Sequence, residues 1–476
     1  MPRPFARALR STLAILTLLA GGVAAAVPVA NADDPQPPAG TISVPGATIV
    51  GERWLTQRTL ELTVDTPSFL VPAKVEVTFP VGYDSQPTRD WPVSYFLVGT
   101  NMDQTGFRVD LRGEELSESY PAIVVTPSAS PLDPTADAAG VDAPGGNVGY
   151  WSDWYNNGSG GPPMYETFVT KQLVPLIDAN FNALANREGR AVFGGSMGGY
   201  GALMLAARHP DLFSSASSLS GAVDTNWVPG ATVLSASPSL VASPPDSIYG
   251  PRDTQEVRWR GHNPVDLAGN LSTVDVQLYT GNGVPSADEL ASNALTSAGC
   301  VVEAGIVKPE TDSLHAKLLA LEIPHTYSAA DWGCHTPLMF YPQVVATLNR
   351  FAENFAEDVP VQSSFDFRAI ESQFGVFGWA VEADPARALE FLALQDVSVR
   401  GFTITGSGLT QITTAPLFRG ARPITVVVNG DPSVVRPDDS GRLTVPVDLG
   451  PANQDQQYTL GGTTAKRTAF VQFIRS

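Results

Sequence analysis

Ser196 stands in Gly194-Gly195-Ser196-Met197-Gly198, a G-x-S-x-G pattern in a chain of 476 residues with 43 glycines. In so glycine-rich a chain the pattern alone is weak, and its flanks strengthen it. Arg190 to Phe193 reads as a strand leading in. Gly199 to Met204 reads as a helix leading out, with Pro210 beyond its end. A sharp strand-to-helix turn lifts a serine Oγ above a sheet. The following helix then aims its free N–H groups at any oxygen that gains negative charge beside the serine. Gly194 and Gly198 leave room for the turn, where a Cβ would meet neighbouring backbone.

A serine hydroxyl needs a base, most often an imidazole. The chain has five histidines. His209 ends the helix behind Ser196 and reads as a capping residue. His262 precedes Asn263-Pro264 in a loop and reads as structural. His315 lies on a helix beside its apolar face, and His325 opens a short strand. His335 follows the strand-end segment Ser328 to Gly333 and precedes a helix starting near Pro337. In an α/β-hydrolase arrangement the chain order is Ser, acid, His, with the base after the last sheet strand. His335 is therefore the predicted base. The acid is expected after the strand Val274 to Thr280. Asp288, Glu289, Glu303, Glu310 and Asp312 are candidates, with Asp224 as an outside alternative, and residue type alone does not rank them.

These residues need a scaffold. From residue 41 to 358 strand and helix patterns alternate, as an α/β fold requires. Val93 to Val98 and Ala122 to Thr126 are apolar runs of the buried, parallel kind. Val169, Leu173, Leu176 and Ile177 recur at helical spacing, with Pro175 predicting a kink. Leu314, Leu318 and Leu321 mark another helix face. Pro229 to Pro245 is rich in Ser, Pro and Ala and reads as an inserted loop covering the site. Residues 363–476 change character. Phe374 to Val381, Gly401 to Thr405, Ile424 to Val428, Leu443 to Val447 and Phe470 to Ile474 read as short strands punctuated by turn residues, a sandwich-like accessory domain. It contains no His and no Cys. The expected fold class is α/β, an α/β-hydrolase sheet with flanking helices plus a small C-terminal all-β domain.

The N-terminus reads as an export signal over residues 1–32. Arg3, Arg7 and Arg10 precede the apolar run Leu13 to Val29, and Ala30-Asn31-Ala32 offers a cleavage site, followed by a flexible leader over residues 33–40. An exported chain with two cysteines favours one disulfide, Cys300–Cys334. Cys334 adjoins His335 and Cys300 lies three residues from Glu303, so this bridge would clamp an acid loop to the base loop. The formal charge of −19 opposes binding to nucleic acid. The histidines lack zinc-type spacing. Asp133, Asp137 and Asp142 do not follow a calcium-loop pattern. No metal and no cofactor is expected.

Several segments together resemble the esterase family that includes the antigen 85 mycolyltransferases, from about Glu52 to Glu357. Gly194 to Gly199 is similar to that family's elbow. Tyr150-Trp151-Ser152-Asp153-Trp154-Tyr155 resembles its YSDWY loop, Glu166-Thr167-Phe168 its ETF helix start, and Tyr279 to Gly283 its CGNG strand end. The resemblance implies Ser196, Glu303 and His335 as a catalytic triad. It implies the backbone N–H groups of Met197 and Thr100 as an oxyanion hole. Two positions differ from the sugar-holding residues of the mycolyltransferases, Val98 in place of Asp and Asn101 in place of Arg. The family's HSW is His335-Thr336-Pro337 here.

The expected chemistry is acyl transfer through an acyl-Ser196 intermediate. The substrate would be a small-molecule or lipid acyl ester. The acceptor would be water or an alcohol such as a sugar, glycolipid or glycerol, and the setting secreted or at the cell envelope. The alternative is a catalytically inactive hydrolase-fold protein that binds or adheres to the cell envelope.

Overall fold

The computed structural model describes residues 42–100, 102–128, 148–292, 296–357, 364–420 and 422–474. The export signal, its cleavage site, the leader, Asn101, Asp133, Asp137 and Asp142 lie outside the described residues.

Nine strands form one mixed sheet: β1 (Thr48–Trp54), β2 (Thr59–Asp65), β3 (Ala73–Thr78), β4 (Val93–Leu97), β5 (Ile123–Pro127), β6 (Arg190–Gly195), β7 (Ser215–Leu219), β8 (Asp275–Thr280) and β9 (His325–Ala329). Their order is β1-β2-β3-β5-β4-β6-β7-β8-β9. The first three strands pair antiparallel, and β3 joins β5 antiparallel. From β5 across to β9 every pairing is parallel. The carboxyl ends of β6 to β9 therefore open on one edge, where α/β sheets place their sites. The central strands β4 to β7 are buried along their whole length, as parallel strands covered on both faces must be. The sheet is the α/β-hydrolase sheet.

Five helices bear on the site: α1 (Val174–Asn180), α2 (Met197–Arg208), α3 (Val228–Ala236), α4 (Lys308–Ala320) and α5 (Pro337–Ala356). In α5 the buried stripe Val344, Thr347, Leu348 and Phe351 follows the three-and-four spacing of an amphipathic helix. Pro175 sits in the first turn of α1, after a π-type turn over Phe168–Leu173, so the kink is a π-bulge. The segment from Pro229 to Pro245 differs from the loop expected. It folds as α3 followed by a 3-10 turn over Ser237–Val241. Pro229 falls in the first helical turn, where its missing N–H costs nothing, and Ala231, Val233 and Leu234 carry the helix onward.

The C-terminal strands are β10 (Ser364–Ala369), β11 (Gln373–Val376), β12 (Trp379–Ala383), β13 (Leu392–Ser398), β14 (Gly401–Gly406), β15 (Leu409–Thr413), β16 (Ile424–Val428), β17 (Asp431–Val435), β18 (Thr444–Asp448) and β19 (Arg467–Ile474). They form one sheet ordered β10-β13-β14-β19-β16-β17 and another ordered β11-β12-β15-β18. Trp379 of one sheet meets Phe402 and Phe473 of the other, within a shared buried cluster. Burial along β19 alternates residue by residue over its second half, the period of a half-buried strand. The expected single strand Phe374 to Val381 is instead a hairpin, β11 and β12. Phe377 and Gly378 take positive φ of 47° and 78°, the conformation a two-residue hairpin turn demands.

The all-β part is tied to the hydrolase sheet by buried polar contacts. Arg208, at the end of α2, bonds both Glu166 and Glu371. The Arg368 N–H donates to Asn270 and the Phe377 N–H to Asp211. Glu166 also meets the His209 imidazole. Burial opposes its ionisation, but the charge of Arg208 and the His209 bond hold its carboxyl far below the usual range. The Glu of the ETF segment is thus a structural anchor, and His209 is occupied by it.

Candidate active site

Ser196 joins β6 to α2 with φ 57° and ψ −121°, a conformation that non-glycine residues adopt only under constraint. Its N–H donates to the Leu219 carbonyl at the end of β7. The elbow is tight because glycine flanks it. A Cβ on Gly194 would lie 2.4 Å from the Leu97 carbonyl oxygen, and one on Gly198 only 1.8 Å from the same atom. Leu97 is backbone of β4 and cannot swing aside. Gly198→Ala is expected to lower stability by about 1–3 kcal/mol, the scale of an overpacked core. Urea unfolding checks this, and an unchanged midpoint would mean that the elbow has slack.

The expected acid and base lie on the segments after β8 and β9. Glu303 begins a π-type turn, Glu303–Val307, that leads into α4. It is fully buried and its Oε2 lies 2.9 Å from His335 Nδ1. A carboxylate can only accept, so Nδ1 carries a proton toward Glu303. Oε1 accepts from Ser220 Oγ at 2.9 Å, Thr280 Oγ1 at 2.8 Å and the Gly281 N–H at 2.6 Å. Burial raises the Glu303 pKa, but the His335 bond and charge, then Thr280 and Gly281, outweigh it and leave the carboxyl below its usual range.

His335 is held from several sides. Its N–H donates to the Gly299 carbonyl, and its ring meets Phe340 edge-on at 5.0 Å. Phe340 also reaches the elbow, lying 3.7 Å from where a Gly195 Cβ would be. The imidazole and Ser196 thus share a neighbour on the same sheet edge. Among the described residues no hydrogen bond joins Ser196 to His335; such bonds commonly tighten only around substrate.

For the two expected oxyanion donors, Met197 is the first residue of α2, where the N–H has no partner within the helix. Thr100 follows Gly99, whose added Cβ would lie 3.5 Å from Ser196 Cβ. The loop after β4 therefore runs beside the nucleophile. Trp151 of the YSDWY-like segment fixes that loop by donating its indole N–H to the Val98 carbonyl. Asp153 caps the helix start at Thr167.

The other candidate acids go elsewhere. Glu289 accepts from the Cys334 N–H and Thr336 Oγ1, bracing the loop that carries His335. Asp312 bonds Lys308 and Tyr327, Asp288 is exposed, and Glu310 pairs with the Asp224 N–H. Among the remaining histidines, His262 Nδ1 donates to the Arg258 carbonyl, and His315 and His325 bond each other. Sequence reading missed Ser220, Thr280 and the Gly281 N–H as donors to the acid. A Ser or Thr at the carboxyl end of adjacent strands was the available signal.

Cys300 and Cys334 form a disulfide spanning 34 residues, and among the described residues no cysteine is free. The bridge ties the segment before Glu303 to the residue before His335. Replacing both cysteines by serine is expected to cost about 3–4 kcal/mol on a chain-entropy account. Urea unfolding measures it, and no loss would show that other contacts already hold the two loops.

Residues 68–301 match the family model described as "Putative esterase". That segment contains Ser196 and ends before Glu303 and His335. An esterase of Mycobacterium tuberculosis (strain CDC 1551 / Oshkosh) is 32% identical over 213 residues, 44% of this chain and 42% of the relative. The diacylglycerol acyltransferase/mycolyltransferase Ag85A of Mycobacterium ulcerans is 34% identical over 149 residues, 30% of this chain and 43% of the relative. The chain spans less than half the length of these curated relatives. Among solved structures, MPT51 of Mycobacterium tuberculosis is similar over 62% of this chain and 97% of its own, with 20% identity and a TM-score of 0.48. An S-formylglutathione hydrolase from Agrobacterium tumefaciens is similar over 64% of this chain and 99% of its own, with 17% identity and a TM-score of 0.49.

Proposed function

Through residues 68–301 the chain belongs to an esterase family with antigen 85 mycolyltransferases among its members, and from that premise we propose that it is a secreted serine esterase or acyltransferase. His335 Nε2 takes the Ser196 proton as Oγ attacks the ester carbonyl carbon. The Met197 and Thr100 N–H groups receive the oxyanion, each donor contributing about 3–4 kcal/mol on the scale of single-donor deletions. Collapse breaks the bond to the leaving alcohol, which departs with the proton from His335. Water or an acceptor alcohol then repeats the sequence on acyl-Ser196, with His335 again as base. Glu303 holds the imidazole in the tautomer this needs and stabilises its cation.

The observation that carries the reading is the buried Glu303–His335 pair on the sheet edge that also bears the constrained Ser196 turn. Export is proposed from residues 1–32 and fits the disulfide. Among the described residues no helix is long and apolar enough to cross a membrane. Residues 363–476 are proposed as an accessory domain. An adhesion protein without catalysis would leave the Glu303–His335 pair without purpose.

The test is labelling of the wild-type chain by a fluorophosphonate, followed by a p-nitrophenyl ester chain-length series with and without trehalose or glycerol. Labelling at the Ser196 peptide with ester turnover is expected. An unlabelled chain would favour the adhesion protein. Acyl trehalose or acyl glycerol among the products would identify a transferase.

A further inference from the structure

A buried carboxyl that the proposed reaction does not use, Glu310, lies on α4, seven residues beyond Glu303. Tyr150, Thr225, Val233, Leu234, Ile306 and Glu310 help enclose a cavity of about 30 Å³, room for about two water-sized groups. Three of its lining residues, Tyr150, Thr225 and Ile306, lie on segments next to the candidate site. The Tyr150 N–H lies 3.4 Å from Met197 Sδ, beside the nucleophile. Thr225 is on the loop after β7, whose Leu219 carbonyl accepts the Ser196 N–H. Ile306 is in the turn that begins at Glu303.

Glu310 is 1% exposed. Its Oε2 accepts the Asp224 N–H at 3.1 Å, while its Oε1 has no hydrogen-bond partner among the described residues. Gly230 of α3 makes the space for that oxygen, since a Cβ there would lie 1.7 Å from it. A buried polar atom left unpaired costs about 1–3 kcal/mol, so an occupant that pairs with it is favoured over a purely apolar one. Burial first, and the nearby Asp224 charge, push the Glu310 carboxyl well above its usual range. When protonated it offers one donor as well as acceptor capacity. A hydroxyl matches both. The aliphatic walls of α3 and Ile306 suit methylene groups, and the volume admits only a few atoms.

We propose that this cavity receives the acyl part of the substrate, and that the preferred acyl group is short and carries a hydroxyl that hydrogen-bonds Glu310. This rests on the acyl-Ser196 reading and narrows its substrate class to esters of short hydroxy acids. Glu310 is then a specificity-determining residue, and α3 is the wall that sizes the pocket.

The experiment compares kcat/KM for p-nitrophenyl butyrate with its 2-hydroxy and 3-hydroxy analogues, in wild type, Glu310→Gln and Glu310→Leu. In wild type one hydroxy ester is expected to exceed butyrate about 10-fold or more, the scale of one well-placed hydrogen bond to a buried group. Gln, which also donates and accepts, retains most of that ratio, and Leu brings it to about one or below. A wild-type ratio at or below one overturns the proposal, as does a ratio that Leu leaves unchanged. Should the Leu variant fail to fold, the wild-type and Gln ratios still decide. Fluorophosphonate labelling run in parallel separates the two readings. An unlabelled wild type overturns the acyl-serine mechanism, and a labelled wild type without the preference overturns only the pocket assignment.

Discussion

Ser196→Ala is expected to abolish fluorophosphonate labelling and to lower kcat for ester hydrolysis by about 10^6-fold, the scale of removing a triad nucleophile. The structure makes this a test of chemistry rather than of folding. The turn at φ 57° and ψ −121° is imposed by Gly194, Gly198 and the bond from the Ser196 N–H to Leu219. None of these uses the hydroxyl, so the alanine chain should melt with the parent. A small residual rate, on the order of 10^3-fold above water, would come from the oxyanion donors and binding alone. Retained labelling at another residue, or retained turnover, would displace Ser196 and with it the mechanism.

Glu303→Gln comes second, with an expected fall in kcat of about 10^4-fold, as when a triad acid loses its charge but keeps its shape. Both Glu303 oxygens accept, one from His335 and the other from Ser220, Thr280 and Gly281. An amide must turn an N–H toward one of these donors. If it faces His335, the imidazole must give up its Nδ1 proton and take the wrong tautomer. If it faces the strand ends, it meets three donors at once.

The same variant tests linkage. Because the folded carboxyl titrates below its unfolded value, its stabilisation is complete above the unfolded pKa of about 4.3. It is lost as pH falls through the folded value. Urea unfolding from pH 7 to pH 3 should therefore show a steeper acid-side loss in wild type than in Glu303→Gln. Equal slopes would show that Glu303 is not held as an anion.

The elbow was legible because its signals are local. A strand, a Gly-x-Ser-x-Gly turn and a helix lie within about fifteen consecutive residues, and the sterics of Gly194 and Gly198 act between neighbours. His335 was singled out through chain order, and the disulfide was legible through an even cysteine count. The acid was not. Glu303, Glu310 and Asp312 share one helical stretch, Glu289 lies on the separate helix Ala287–Ser292, and successive residues on a helix point about 100° apart. What each one meets depends on the partners that other strands bring. Glu303 faces the ends of β7 and β8 and the base loop, Glu289 braces that loop, and Glu310 turns into the cavity beneath α3. The stretch from Pro229 was misread for a related reason, since its prolines suit a helix's first turn as well as a loop.

By itself, then, the sequence determined an α/β-hydrolase sheet, a strained serine turn, the chain order of the candidate groups and a second, all-β region. These follow from periodicity, glycine sterics and residue order, all of which act along the chain. Residue type left the carboxylate open and only the resemblance pointed to Glu303; the tertiary structure alone decided which donors hold it and which acid lies buried with an oxygen unpaired. Hydrogen bonding and burial at those positions come from segments tens of residues apart, and their partners exist only once the sheet has closed.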